Sequence, residues 1–173
     1  MPRRLRIKEN GYYHIINRGV EKRKVFLDNS DHTKFLDMVK QNQITYKFLI
    51  HAYCLMDNHY HFLMEIKHKN LSQIMQKLNH GYSVYFNKKN KRVGHLWQGR
   101  YKSWAVLDDQ YFSTLVRYIE QNPVRAGITK KVGEYPWSSS TTIKKTKLTK
   151  NEILALNIFH NAKLKTNNCP APE

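Results

Sequence analysis

The chain has 173 residues, 40% of them hydrophobic, enough for one domain with a real core, and its 30 Lys and Arg against 13 Asp and Glu give a net charge of +17. Self-repulsion of that size adds nothing to folding, so an anionic partner is implied; nucleic acid comes ahead of a membrane surface, because the basic residues run along the whole chain beside aromatics instead of lying on one amphipathic helix. Two cysteines, Cys54 and Cys169, argue against a disulfide framework, the N-terminus has no apolar signal segment, and no run nears the roughly 18 apolar residues that span a bilayer, so a soluble cytoplasmic protein is expected.

Residues 11–18, GYYHIINR, combine β-branched and aromatic side chains and read as a first strand, followed by the loop RGVEKRK. Residues 29–45 are helical by spacing, with Ser30 or Asn29 able to cap and Phe35, Leu36, Met38 and Val39 on the apolar face. Residues 47–56 and 59–66 read as strands separated by Asp57-Asn58, a pair suited to a tight turn or to a bulge in one long strand. A second helix is expected over 71–88, where Ile74, Met75, Leu78, Tyr82 and Tyr85 recur at helical spacing. KNKRVGHLWQGRYKS reads as a loop or irregular hairpin leading to a strand at 103–107. Asp108 or Asp109 stands at the positive end of a third helix, 109–121, and Pro123 is compatible with that helix ending at Asn122.

The order β-α-β-β-α-β-α indicates an α+β fold: a split-βαβ, ferredoxin-like antiparallel sheet with helices mainly on one face, over residues 1–140. Residues 141–173 read as a basic linker and tail. Thr149 and Glu152 have capping-box spacing for one short helix over 150–162, and disorder is expected after it.

The chemistry is concentrated in HAYCLMDNHYHFLMEI, residues 51–66. In a strand His59 and His61 project to the same face while Tyr60 and Phe62 go to the other. Two imidazoles at that spacing can hold one divalent ion, or can be no more than a hydrogen-bonded pair. His51 is eight residues from His59, on the preceding strand, and is read as structural. An ion would need a third ligand. Tyr118 and Asn122 are four apart in LVRYIEQNPVRAG, so on a helix they share a face at the edge of the Phe112, Val116, Ile119 stripe. An Asn amide oxygen is an acceptable hard ligand; equally, Tyr118 can be a boundary residue whose ring packs and whose hydroxyl meets water.

Taken together, HAYCLMDNHYHFLMEI, GHLWQGRYKS, YIEQNPVRAG and YPWSS, in this order over about residues 5–140, resemble HUH-type single-tyrosine transposases, most closely the REP-associated branch. The resemblance implies that His59 and His61 are ligands of Mg²⁺ or Mn²⁺, that Asn122 is the third ligand, and that Tyr118 attacks a phosphodiester of single-stranded DNA to give a 5′-phosphotyrosine and a free 3′-OH. It implies a short palindromic hairpin with a single-stranded flank as substrate, no nucleotide cofactor, and a monomer ahead of a homodimer that supplies the tyrosine across its interface. The family often has Pro where this chain has Asp57, which can orient a histidine or be only a turn residue.

Backbone contacts are assigned to Arg3, Arg4, Arg6, Arg18, Lys91, Arg92, Arg100 and Lys102 as a cluster, any one of which can be plain surface charge; Trp97 and Tyr101 are candidates for base stacking, and Trp97 can equally be core. Two other classes of function fit the same charge: a hairpin DNA- or RNA-binding protein that no longer cleaves, and a metal-dependent hydrolytic nuclease in which Tyr118 is structural.

Overall fold

The computed structural model describes residues 10–141. Arg3, Arg4, Arg6, Cys169, the linker beyond residue 141 and its expected short helix and tail lie outside the described residues. The elements are β1 (Gly11–Arg18), a short 3-10 turn, α1 (Asn29–Tyr46), β2 (Leu49–Met56), β3 (His59–Ile66), α2 (Leu71–Lys89), β4 (Lys102–Val106) and α3 (Asp109–Arg125). The sheet order is β2-β3-β1-β4 and every neighbouring pair is antiparallel. This is the expected interleaving of two split βαβ units, β1-α1-β2 around β3 and β3-α2-β4 around β1.

Local chemistry sets the element ends. The Asp28 carboxylate, and neither Ser30 nor Asn29, caps α1 by accepting from the Asp31 N–H. Lys47 turns left-handed at φ 53° and closes α1, so β2 begins at Leu49. Asp57-Asn58 is the two-residue turn of the β2–β3 hairpin. Asp108 caps α3 through the Tyr111 N–H at 2.7 Å.

The expected end of α3 at Asn122 is corrected: the helix runs through Pro123 to Arg125. Proline removes the N–H that would bond the Ile119 carbonyl. Asn122 Nδ2 stands in for it, donating to the Tyr118 carbonyl at 2.9 Å and reaching the Ile119 carbonyl at 3.4 Å.

Two cores result. Phe35 and Val39 of α1 and Ile74, Leu78, Tyr82 and Phe86 of α2 bury one face of the sheet together with Ile15, Tyr60, Phe62 and Met64. The other face is covered by α3, whose Leu115 and Ile119 meet Ala52, Cys54, Leu63 and Val106. Beyond α3 the chain runs back along the outer edge of β2. The Leu55 N–H donates to the Trp137 carbonyl (2.9 Å), the Tyr135 hydroxyl to the Leu55 carbonyl (2.7 Å) and the Tyr53 N–H to Ser139 Oγ (3.2 Å), which protects that edge from pairing with another chain.

Tyr82, with no exposed surface, donates its hydroxyl to the Val25 carbonyl at 2.6 Å and so fastens α2 to the loop after β1. Removing the hydroxyl strands a buried carbonyl. Tyr82→Phe is therefore expected to lower the unfolding free energy by about 1–3 kcal/mol at unchanged m-value in urea titration; an unchanged midpoint would show that this bond carries no load.

Candidate active site

The β1–β3 register pairs Arg18 with His59, Ile16 with His61 and His14 with Leu63, so His14, His59, His61 and Arg18 share the face that α3 covers. On β4, Lys102 pairs with Ile16 and Trp104 with His14, which adds them to the same face. The loop and turn below are tied together by backbone bonds: the Gly19 N–H to the Asn58 carbonyl (2.8 Å), the Val25 N–H to the Asp57 carbonyl (2.7 Å) and the Gln98 N–H to the Arg18 carbonyl (2.9 Å). Position 19 must be glycine, because a Cβ there would lie 2.2 Å from the Arg23 carbonyl oxygen.

His59 and His61 stand together, with ring centroids 5.0 Å apart. His59 Nδ1 meets Asn58 Oδ1 at 2.6 Å and His61 Nδ1 meets His14 Nε2 at 3.2 Å. Burial holds all three imidazoles toward the neutral form. It lowers His14 to about 4; His59 is lowered by burial and then by the Arg18 charge; His61 is lowered well below its usual range by burial and then by His59 and His14. Neutral imidazoles are the form that binds metal ions. Among the described residues no group of three or more His, Cys, Asp or Glu is placed to hold an ion.

His59 and His61 line a cavity of about 500 Å³ with Arg18, Asn58, Gln98, Arg100, Lys102 and Trp104, and no carboxylate among the lining residues. Such a cavity attracts anions. Arg18 is held there by Gln98 Oε1, which accepts from its Nε (3.0 Å) and Nη2 (2.8 Å). A larger groove of about 750 Å³, between α2 and the 94–101 loop, shares Asn17, Gly99 and Arg100 with the first.

From α3, Tyr118 reaches this cluster. Its ring is edge-on to His61 at 5.8 Å and to His14 at 6.2 Å between centroids, and the Arg125 guanidinium lies 5.2 Å from its ring centre. Tyr118 is partly buried in the α3 core and does not line the 500 Å³ cavity. Asn122 follows one turn later on the same helix, its amide nitrogen engaged with that helix's own carbonyls.

The expected DNA contacts divide. Arg18, Arg100 and Lys102 converge on the cavity; Lys91 and Arg92 do not, and the Arg92 guanidinium lies 5.7 Å from the Phe86 ring centre. Trp97 and Tyr101 are each only 9% exposed and belong to the α1–α2 core, the alternative the sequence left open for Trp97, and neither is an open stacking surface here. Trp97 packs against Tyr60 and Tyr82 and donates its indole N–H to the Asn79 carbonyl at 3.1 Å, so only the edges of the two side chains reach the larger groove. Trp104, by contrast, is 44% exposed and lines the 500 Å³ cavity. Alternation along β4 from Lys102 could have found it. Asp57 sits in the β2–β3 turn and pairs with Lys24 at 2.8 Å, and the contact to His59 Nδ1 comes from Asn58. His51, read as structural, bonds Glu65 at 2.9 Å.

A family model described as "Transposase IS200 like" matches residues 7–122. A curated protein of Haemophilus influenzae, named as a REP-associated tyrosine transposase, is 26% identical over 117 residues; the match spans 61% of this chain and 66% of the relative, a little under two thirds of its length. A solved structure of a REP-associated tyrosine transposase bound to a REP hairpin superposes with a TM-score of 0.66 at 18% identity, over 100% of this chain and 96% of that one.

Because the buried imidazoles bind protons more readily once unfolded, the metal-free protein should be most stable above about pH 6.5 and lose stability as pH falls toward 4, with His14 alone contributing about 3 kcal/mol. Urea unfolding between pH 7.5 and 4.5 should show this slope, and His14→Phe should reduce it by up to about one proton. A flat profile would contradict the burial of neutral histidines.

Proposed function

The chain belongs to the IS200-like transposase family, and from that membership we propose that it cuts and rejoins single-stranded DNA through a covalent bond to Tyr118. The observation that carries the proposal is the meeting of Tyr118 from α3 with the ring of His61 from β3, which itself lines the cation-lined cavity. The similarity to a REP-associated tyrosine transposase solved bound to a REP hairpin supports a hairpin as substrate, and we take a short palindromic one with a single-stranded flank. The positive charge along the described cleft supports a polyanionic strand.

The donor set fits a divalent ion. His59 and His61 have Nδ1 engaged by Asn58 and His14, which leaves Nε2 as the nitrogen of each that could reach an ion, and the Asn122 amide oxygen is the third candidate. Bound there, Mg²⁺ or Mn²⁺ supplies charge neutralisation and polarisation of the scissile phosphate. Arg18, Arg100 and Lys102 hold neighbouring phosphates, and Trp104 offers an exposed ring to an unpaired base. Tyr118 Oη forms the new P–O bond as the bond to the 3′ oxygen breaks; the phenol gives up its proton and the departing oxygen takes one, leaving a 3′-OH. A later 3′-OH reverses these steps, so rejoining needs no nucleotide cofactor. The Tyr118 side chain must swing from the α3 core toward the cleft to attack.

One observation favours a second reading: with Tyr118 outside the cavity lining, water could be the nucleophile and the protein a hydrolytic nuclease. An oligonucleotide carrying a hairpin and labelled at its 3′ end separates the two on a denaturing gel with Mg²⁺ or Mn²⁺. A labelled protein–DNA band is expected, with Tyr118→Phe reducing it roughly 10³-fold or more while binding persists. Cleavage with no such band would establish hydrolysis, and binding with no cleavage would leave a binder. Arg100→Ala and Lys102→Ala should each lower the slope of log K against log[salt] by about 0.7, as single phosphate contacts on single strands do; unchanged slopes would remove them from the interface.

A further inference from the structure

We infer that His14 is a positioning residue that fixes the tautomer of His61 so that His61 Nε2 faces the ion. The inference rests on the reading that His59 and His61 are ligands. His14 Nε2 and His61 Nδ1 are 3.2 Å apart, in rings whose planes differ by 16°. Between two neutral imidazoles that contact holds one proton, and it can sit on either nitrogen. If His14 donates, His61 carries its own proton on Nε2 and has no lone pair there for a metal. If His61 donates from Nδ1, its Nε2 is a free ligand and His14 accepts.

The neighbouring histidine indicates which arrangement serves the site. His59 Nδ1 lies 2.6 Å from Asn58 Oδ1, an atom that can only accept, so His59 is protonated on Nδ1 and its Nε2 is free. With His14 as acceptor the pair becomes alike: both Nδ1 atoms donate backward and both Nε2 atoms are available to one ion. His14 is held for this task. It is 7% exposed, packs at 5.6 Å from Trp104 and at 6.2 Å from Tyr118, and sits on β1, the strand directly paired with β3. The same ring thus contacts the proposed ligand His61 and the proposed nucleophile Tyr118.

Nitrogen-15 NMR of the metal-free full chain reads the tautomer without any activity. His61 is expected to be protonated on Nδ1 in the wild type and on Nε2 in His14→Phe, which keeps a planar ring but offers no acceptor. Mn²⁺ affinity, followed by EPR of the free ion, should fall about 10–100-fold in His14→Phe and recover in His14→Gln, which restores an acceptor, with unfolding midpoints confirming that both variants fold. A wild-type His61 protonated on Nε2, or a His14→Phe protein that binds Mn²⁺ as well as the wild type, overturns the inference. Equal loss in His14→Gln and His14→Phe overturns it in favour of direct ligation by His14. Mn²⁺ binding that survives His61→Ala overturns the ligand reading itself, and the tautomer measured without metal separates that failure from the failure of the His14 role.

Discussion

The structure of this site depends on the antiparallel pairing of β1 with β3. Its register puts His14, His59, His61 and Arg18 on a single face, and the two-residue periodicity of strands leaves no freedom in that choice. A slip of one residue would send the imidazoles into the aromatic core under α1 and α2, where Tyr60 and Phe62 now sit. The apolar packing of that core therefore fixes the chemistry of the opposite face. Burying imidazoles has a cost, which shows in their lowered proton affinities, and the return is a set of rings that stay neutral and fixed in orientation, the state a metal ligand would need.

The third helix is the second constraint. It brings Tyr118 to the histidines and, through Leu115 and Ile119, closes the smaller core. The Asn-Pro pair in its last turn is a structural device as well as a candidate ligand site: the proline deletes a backbone donor and the Asn122 amide replaces it. With its nitrogen engaged in this way, the Asn122 side chain is ordered with its oxygen as the remaining acceptor. Across the sheet, the chain after α3 seals the β2 edge, which keeps a strongly basic protein with an otherwise open sheet from pairing strand to strand.

Much of this was legible in the sequence, for physical reasons that differ from residue to residue. The His59–His61 pair and the element order follow from periods of 2 and 3.6, which are local properties. Trp97 and Tyr101 misled because large aromatics beside arginines suit a stacking surface and a core equally; only the fold of the 94–101 loop onto α2 decides between them, and it buries both. His14 and Asn58 carry no local signal of their roles, since each acts through a partner defined by strand register or turn geometry. The sequence makes Pro123 compatible with a helix end at Asn122, and the helix continues because Asn122 repairs the gap with a side chain, which a backbone rule does not include.

The claim on which the rest stands is that His59 and His61 present Nε2 to one ion beside Tyr118. Anomalous diffraction from crystals grown with Mn²⁺ tests it most directly. A single peak within bonding distance of both Nε2 atoms, on the Tyr118 side of the sheet, is the expected result. A peak coordinated through Nδ1, or located away from the pair while both imidazoles remain bonded only to Asn58 and His14, would contradict it.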